Sequence, residues 1–510
     1  MKIAKNIFKA YDIRGLAATE LSPELAYRLG RAFVVFLRNH DLLKPGQAVV
    51  VGRDMRATSP VFQQALMRGM SDEGAAIVDI GLVSTPLFNF ACANYPEHAG
   101  GIMVTASHNP AQYNGFKITL GDGLPIGESS GMGEIKELVC HSEYNEESLS
   151  SPSARPARHA SQGDAGGEGV GGVGADVSGN SLSLPLGKRE MTKKNVLPDY
   201  LKKIFSIVSP SSIRPLKLVI DAGNGMAKVT VPEVLKNLPV TVEYLYLEPD
   251  GNFPNHEANP LKVETLIDLQ KKVVESGADF GFALDGDADR IGLVDEKGRV
   301  VDASFVGALV GLEVLRHHPR ARMLYDVRSS MIVPEVWRAQ GATVEMCKVG
   351  HANIKKALKE IDGAFASELS LHLYYRDMFD VESTDLSLLY ILQMLSREDK
   401  LLSELVAPLQ KYFHSGEINF SVEDKTGTMS RIEKKYKAKP RTDSQGESGT
   451  GDEALEISHL DGLWMKFAWG WASVRLSNTE PVVRLNLEAG SEKLMKEKVK
   501  EVGELIKLYS

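Results

Sequence analysis

The 510-residue sequence predicts an α/β protein of several domains, with helices layered over mostly parallel strands. Short apolar, β-branched runs alternate with longer segments of helical periodicity, the pattern of α/β layers. Each such run ends in a loop rich in Gly, Asp, Asn or Ser, and the carboxyl ends of strands are where α/β sheets bind ligands. The chain also far exceeds what one hydrophobic core serves, while its 43% hydrophobic and 25% charged content is ordinary for a globular protein. Three or four domains are therefore expected.

The strand-like runs, in order, are Ala48-Val49-Val50-Val51, Gly101-Ile102-Met103-Val104, Leu218-Val219-Ile220 and Phe280-Gly281-Phe282-Ala283-Leu284. Amphipathic helices are expected over 23–37, 59–72, 263–276 and, shorter, 334–340. Residues 150–186 break the rhythm. They are rich in Ser, Gly and Pro and bury too little apolar surface to offset their ordering entropy, so a disordered insertion or linker is expected. The GxGxxG match inside it, Gly167 to Gly172, has no strand before it or helix after it and reads as accidental. A second polar stretch, 435–451, reads as a long surface loop.

Composition excludes several function classes. A net charge of −8 exerts no global pull on nucleic acid or anionic membrane. The first fifteen residues carry three lysines, an aspartate and an arginine around short apolar runs, unlike a signal peptide. No run approaches the ~20 apolar residues a membrane helix needs. Three scattered cysteines, Cys92, Cys140 and Cys347, suit reduced thiols rather than a disulfide framework. A soluble, cytoplasmic protein is expected, with a small anionic ligand compatible.

Three motifs carry chemistry. Thr105-Ala106-Ser107-His108-Asn109-Pro110 follows a strand candidate and places a hydroxyl among small residues where a phosphoryl group could approach; an ST-turn is the plain alternative. Asp285-Gly286-Asp287-Ala288-Asp289-Arg290 sets carboxylates at i, i+2 and i+4, oxygen ligands for Mg²⁺ or Ca²⁺ rather than zinc. With Glu296 at the twelfth position it partly imitates an EF-hand loop, but Arg290 stands where that loop wants glycine and the flanks read as strands. A structural acidic turn is the other alternative, disfavoured because close carboxylates repel. The third, Arg475-Leu476-Ser477-Asn478-Thr479-Glu480-Pro481-Val482-Val483-Arg484, offers donors for a phosphate dianion, against the alternative of Arg–Glu pairing on a hairpin.

In this order and spacing the motifs resemble the α-D-phosphohexomutase family, in its phosphomannomutase/phosphoglucomutase branch. The resemblance spans nearly the whole chain. It includes Phe8 to Gly15, Val51-Gly52-Arg53-Asp54 with Arg56 and Ser59, Asn114 to Ile118, Asp221 to Gly225 and Lys348-Val349-Gly350-His351. Asn478 favours this branch over the glucosamine-phosphate mutases, which more often carry glycine there.

What the resemblance implies is four domains around a central cleft: three similar α/β units with mixed sheets and a smaller α+β C-terminal phosphate-binding domain. The expected boundaries are 1–140 for the phosphoserine domain, 141–193 for the insertion, 194–298 for metal, 299–412 for sugar recognition and 413–510 for phosphate. The implied activity is interconversion of hexose 1-phosphate and hexose 6-phosphate through a phosphoserine and a hexose 1,6-bisphosphate that serves as intermediate and activator. Ser107 is then the phosphoserine, and Asp285, Asp287 and Asp289 hold one Mg²⁺ against it. Arg14, Lys117 and Arg290 are expected to stabilise charge, His108 beside the serine to be catalytic, and Lys117 or His351 to assist proton transfer. A packing role at a helix entry is the alternative for His351. Arg328, Lys348, Glu368, Ser370, His372, Arg475, Ser477, Asn478, Thr479 and Arg484 are expected to bind substrate. The partner is a small sugar phosphate, and the protein a monomer or weak homo-oligomer. A glucosamine-phosphate mutase and a weak sugar-phosphate binder are the competing readings.

Two departures stand out. Ser367-Glu368-Leu369-Ser370-Leu371-His372 replaces the usual Gly-Glu-X-Ser-Gly-His, so Leu371 occupies a place where glycine allows positive φ or close approach. Arg328 stands where lysine is common, which keeps charge but changes geometry.

Overall fold

The computed structural model describes residues 4–140, 191–437, 453–476 and 482–508. The expected insertion at 150–186, and Ser477, Asn478 and Thr479, lie outside the described residues.

The strands of the first unit are β1 (Ile13–Leu16), β2 (Ala48–Arg53), β3 (Ala76–Leu82), β4 (His98–Val104), β5 (Tyr113–Leu120) and β6 (Met191–Lys193). They form one sheet in the order β1-β5-β4-β2-β3-β6. β4, β2, β3 and β6 run parallel, and β5 and β1 are added antiparallel at one edge. The last three residues of the expected 141–193 segment are thus β6, paired with Ile77 to Asp79.

The second unit repeats the plan with β7 (Leu216–Asp221), β8 (Val240–Leu245), β9 (Phe280–Leu284), β10 (Ile291–Asp295) and β11 (Val300–Val301). β8, β7 and β9 are parallel, then β10 and β11 antiparallel. The third does so again with β12 (Arg322–Asp326), β13 (Thr343–Cys347), β14 (Phe365–Ser367), β15 (Leu373–Tyr375) and β16 (Val381–Glu382). There β13, β12 and β14 are parallel and β15 and β16 antiparallel. The sheets are therefore mixed. Alternation of strand and helix reports only the parallel part, because an antiparallel neighbour needs a short loop and no crossover helix.

The fourth unit is wholly antiparallel: β17 (Phe413–His414), β18 (Ile418–Ser421), β19 (Glu456–Ser458), β20 (Leu463–Phe467), β21 (Gly470–Leu476) and β22 (Val482–Ala489). The C-terminal helix Glu492–Leu508 packs on it.

Helix ends follow local chemistry. Helix Pro23–Asn39 starts where Ser22 Oγ accepts from Leu25 N at 3.1 Å and proline takes the first turn. The segment 263–276 opens as a 3₁₀ turn, Val263–Leu266, before the α-helix Ile267–Ser276, which stops at Gly277 in the left-handed region. Helix Lys425–Tyr436 takes the first two residues of the stretch expected to be a loop at 435–451.

One continuous core joins the first three units, among its members Val50, Phe88, Tyr200, Phe282, Trp337 and Tyr375. The fourth unit has its own core around Leu463, Val474, Leu485 and Ile506. It meets the third through a small cluster of Val327, Trp464 and Trp471. Among the described residues, no helix is long and apolar enough to cross a membrane.

Candidate active site

β4 delivers the chain into a turn in which Ser107 sits at φ 51°, in the left-handed region. For a residue with a Cβ that conformation costs about 1–2 kcal/mol, so surrounding contacts must impose it. Ser107 N donates to Thr105 Oγ1 at 2.9 Å, so the ST-turn exists and coexists with a functional arrangement. The hydroxyl donates to Asp285 Oδ2 at 3.0 Å and lies 3.1 Å from His108 Nδ1.

The acidic loop spans β9 to β10 and folds around its own first carboxylate. Asp285 Oδ1 accepts from Asp289 N at 2.9 Å and Arg290 N at 3.1 Å, with Ala288 at φ 59°. Gly286 allows this loop to meet the serine turn, since a Cβ there would lie 2.6 Å from Ser107 O. All three aspartates are buried, and one oxygen of each lies within 4.8 Å of the others. Asp287 Oδ2 accepts from Thr85 Oγ1 at 2.6 Å and from Lys117 Nζ at 2.7 Å; Asp289 Oδ2 accepts from Lys117 Nζ at 2.6 Å. Asp287 Oδ1 is buried with no hydrogen-bond partner among the described residues.

Burial, with the charges of Asp289 and Asp287, pushes the Asp285 carboxyl well above the usual range. Burial opposes the Lys117 charge, but Asp287 and Asp289 outweigh it and raise that ammonium. A crowded, buried, oxygen-only set with an orphaned carboxylate oxygen fits a hard divalent cation. Glu296 instead accepts from Ser403 N at 3.1 Å, and strands flank the loop, so the EF-hand reading does not apply.

Arg14, on β1, donates to Asn109 Oδ1 at 2.6 Å and pairs with Asp12 at 2.5 Å, which holds it beside the serine turn. Arg290 Nε lies 3.9 Å from Asp285 Oδ2. Burial, then Arg290 and Arg14, drive His108 far below its usual value, so it stays neutral.

The third unit supplies the facing wall. Leu371 adopts φ 70°, the conformation expected of the glycine it replaces, and its carbonyl accepts from Ile291 N at 3.2 Å. This ties the 367–372 loop to the end of the acidic loop. His372 lies between Asp289 Oδ1 and Glu368 Oε2, 3.3 Å from each, and Ser370 Oγ is 2.8 Å from its Nδ1. Burial opposes the imidazolium, but Asp289 and Glu368 hold His372 up at about 9. Glu368 also accepts from Tyr374 Oη at 2.8 Å and Gly350 N at 3.1 Å. Arg328 pairs with Asp326 at 2.8 Å and reaches Glu368 at 3.3 Å.

His351 opens helix His351–Glu360, edge-on to Tyr11 with ring centroids 5.3 Å apart. Burial, then Lys355 and Lys117, push it well down, so it too is neutral. Lys348 is exposed and does not line the cavity; the structure brings Val349, Gly350 and His351 to it instead.

In the fourth unit Arg475 of β21 stands directly across from Arg484 of β22. Like charges in that register repel. Asp461 at 3.2 Å and Glu417 at 3.9 Å partly compensate Arg475, and Glu417 lies 3.4 Å from Arg484. Arg475 Nε is buried without a hydrogen-bond partner among the described residues. The pair is suited to an anion.

Ser107, Asp289, His351, Ser370, Arg475 and Arg484, drawn from all four units, line one cavity of about 480 Å³. Sequence reasoning gave no role to Arg56, Tyr11 or the buried Lys355–Glu382 pair at 2.6 Å. Apart from the Arg56–Asp54 pair, their partners lie far along the chain, so no local spacing marks them.

Four family models match in order. The phosphoglucomutase/phosphomannomutase alpha/beta/alpha domains I, II and III cover 5–146, 198–298 and 302–412, and the C-terminal domain covers 417–505. A phosphomannomutase of Methanocaldococcus jannaschii is 34% identical over 500 residues, covering 98% of this chain and 97% of the relative. A phosphomannomutase of Vibrio cholerae is 34% identical over 509 residues, covering 98% of each. The crystal structure of a phosphoglucomutase/phosphomannomutase family protein from Burkholderia thailandensis aligns with a TM-score of 0.80 at 28% identity, covering 100% of this chain and 98% of that one. A serine turn, an acidic loop and an arginine pair meeting in one cavity, on four matched domains with full-length relatives, place this chain in the phosphoglucomutase/phosphomannomutase family of phosphohexomutases.

Proposed function

We propose that this protein interconverts hexose 1-phosphate and hexose 6-phosphate, with mannose or glucose as the sugar, by passing a phosphoryl group through Ser107. The carrying observation is that Ser107 Oγ, 3.0 Å from Asp285, shares its cavity with Arg475 and Arg484. One region can transfer a phosphoryl group while another holds the substrate's existing phosphate.

In this reading the resting enzyme carries phosphoserine. A sugar hydroxyl oxygen attacks phosphorus, the new P–O bond forms as the P–Oγ bond breaks, and the hydroxyl proton passes to an imidazole nitrogen. His351, which lines the cavity, is the candidate acceptor; burial and Lys355 keep it neutral and make it a weak base, so it takes the proton only as the P–O bond forms. Lys117, held cationic by two aspartates, suits charge stabilisation better than proton transfer. Arg14 and Arg290 add positive charge around the transferred group, and His108 stays neutral beside Oγ. The hexose 1,6-bisphosphate then turns over and returns its other phosphoryl group to Ser107.

Asp285, Asp287, Asp289 and Ser107 would hold one Mg²⁺, which when bound supplies positive charge to the phosphoryl oxygens. Glu368, Ser370 and His372 face the sugar hydroxyls, with Arg328 orienting Glu368. Arg475 and Arg484, with Ser477, Asn478 and Thr479 of the same sequence motif, take the distal phosphate. Lys348, exposed beside Val349, is a further cation of the Lys348 to His351 motif for the substrate. We read the enzyme as cytoplasmic, with hexose 1,6-bisphosphate as activator.

The test is turnover of mannose 1-phosphate, glucose 1-phosphate and glucosamine 1-phosphate with Mg²⁺ and a trace of hexose 1,6-bisphosphate. Wild type should turn over the mannose or glucose substrate, and Ser107→Ala should lose nearly all activity. Intact mass should show a fraction heavier by one phosphoryl group, absent in the variant. Full activity in Ser107→Ala would remove the mechanism, and turnover of the glucosamine substrate alone would rename the sugar.

A further inference from the structure

We infer that Arg56 is the positioning residue of the phosphoryl carrier, a role that rests on Ser107 being that carrier. Arg56 is 1% exposed and touches no surface of the cavity, yet every donor it owns is spent on the serine turn or on its own anchor. Nη2 donates to Ser107 O at 2.7 Å and Asn109 O at 2.6 Å. Nη1 donates to Pro110 O at 2.8 Å and Tyr113 O at 3.0 Å. Nε donates to Asp54 Oδ2 at 3.2 Å, and Asp54, fully buried, is itself fixed by Arg56 N at 3.0 Å and Ser59 Oγ at 2.6 Å. The guanidinium's five N–H groups are thereby used, four of them on carbonyls of the segment from Ser107 to Tyr113 that leads into β5.

That segment has few main-chain bonds of its own. Ser107 is left-handed, and the turn's internal main-chain bonds include only Asn109 N to Ala106 O and Tyr113 N to Pro110 O. The planar fork gathers the carbonyls of 107, 109, 110 and 113 about one point and so sets where Cα and Oγ of Ser107 fall. The second unit closes the other side. The Phe253 ring lies 5.1 Å from the Arg56 guanidinium carbon, and a Cβ on Gly251 would lie 2.7 Å from Arg56 Cα. Ser107 O is caught between Arg56 and Gly286 of the acidic loop, so Arg56 also sets the spacing between the serine and the aspartates.

A lysine keeps the charge but has one nitrogen, and cannot bridge four carbonyls in a plane. Arg56→Lys should therefore lower kcat about 100-fold, as expected for a displacement near 1 Å at the reacting centre. KM should stay within threefold, because the residues facing the sugar and its phosphate are elsewhere. Intact mass should still find phosphate on Ser107, and transfer from it should be slow in a single turnover. A purely structural role would lower the melting temperature and leave kcat per folded molecule unchanged. Phe253→Leu, which removes the ring packed against the guanidinium and near Gly286 of the acidic loop, should give the same split at smaller size, three- to tenfold in kcat, and decides the matter if Arg56→Lys does not fold, provided Mg²⁺ affinity measured by calorimetry is unchanged in it. Wild-type kcat in either folded variant, or a loss confined to KM, overturns the proposal while the Ser107 mechanism stands. Wild-type protein without phosphate on Ser107, and an active Ser107→Ala, overturn both.

Discussion

Gly286 shows how little room separates the serine turn from the acidic loop. In Gly286→Ala the new Cβ would stand 2.6 Å from Ser107 O, a distance that real contacts do not tolerate, so one loop must yield. Both loops belong to otherwise well-packed sheets, and the shift should be local. We expect kcat to fall about 100-fold with the melting temperature nearly unchanged, because misplacement of about 1 Å is enough for that loss. Steady-state kinetics beside a thermal melt checks it; an alanine variant of wild-type rate would mean the loops do not need this approach. Leu371 makes the complementary point. The sequence marks it as a leucine in a glycine's place, and it does take a glycine's dihedral, φ 70°.

At the scale of elements, the acidic loop and the arginine hairpin each imply a ligand. Burial and two neighbouring carboxylates raise the Asp285 pKa in the cation-free protein, so it retains a proton where an ordinary aspartate has lost it. A bound cation must displace that proton. Mg²⁺ affinity should therefore strengthen as pH rises, and binding should release protons. Calorimetry in buffers of different ionisation enthalpy, at roughly pH 6 and pH 8, measures both; pH-independent binding without proton release would contradict the reasoning. On the hairpin, the like charges of Arg475 and Arg484 face each other and are only partly offset by Glu417 and Asp461. Arg475→Gln should leave the anion-free melting temperature unchanged or slightly raised. It should also weaken the stabilisation that inorganic phosphate gives wild type, and raise KM about tenfold, a loss of roughly 1.4 kcal/mol of binding. An undiminished phosphate effect in the variant would place the anion elsewhere.

Elements are also where the legibility of the sequence can be judged. Helix Ser59–Asp72 and strand Phe280–Leu284 have the limits that periodicity predicts, since each buries one consistent face or a continuous apolar run. The antiparallel edge strand β5 left no periodic trace because no crossover helix accompanies it, whereas β10 was legible as a short apolar run after the acidic loop. In the site, Ser107 and the aspartates were legible as motifs because each lies within a few residues of its partners or at a strand end. Lys348 is exposed, while its neighbours Val349, Gly350 and His351 line the cavity. Arg56 was opaque in role, since apart from Asp54 its acceptors lie 51 to 57 residues away and are main-chain carbonyls that no side-chain pattern reports.

Across the whole molecule, the division of cores decides how the protein should come apart. The first three units share one core and are further joined by buried polar bridges. Asn89 of the first donates to Glu382 of the third at 3.2 Å, and Glu382 pairs with Lys355 at 2.6 Å with both side chains almost fully buried. The fourth unit has a separate core and holds three of the four tryptophans, Trp464, Trp469 and Trp471. Removing one partner of a buried ion pair costs about 3–5 kcal/mol, because the other charge is stranded, whereas replacing both with apolar groups restores much of it. Lys355→Met should therefore lower the denaturant midpoint followed by far-UV circular dichroism, which reports the three-unit body. The tryptophan fluorescence transition, weighted toward the fourth unit, should move less. Lys355→Met combined with Glu382→Leu should recover most of the shift. If both signals instead move together and equally, the fourth unit unfolds with the rest, and the contact through Val327, Trp464 and Trp471 is strong enough to make four units one cooperative body.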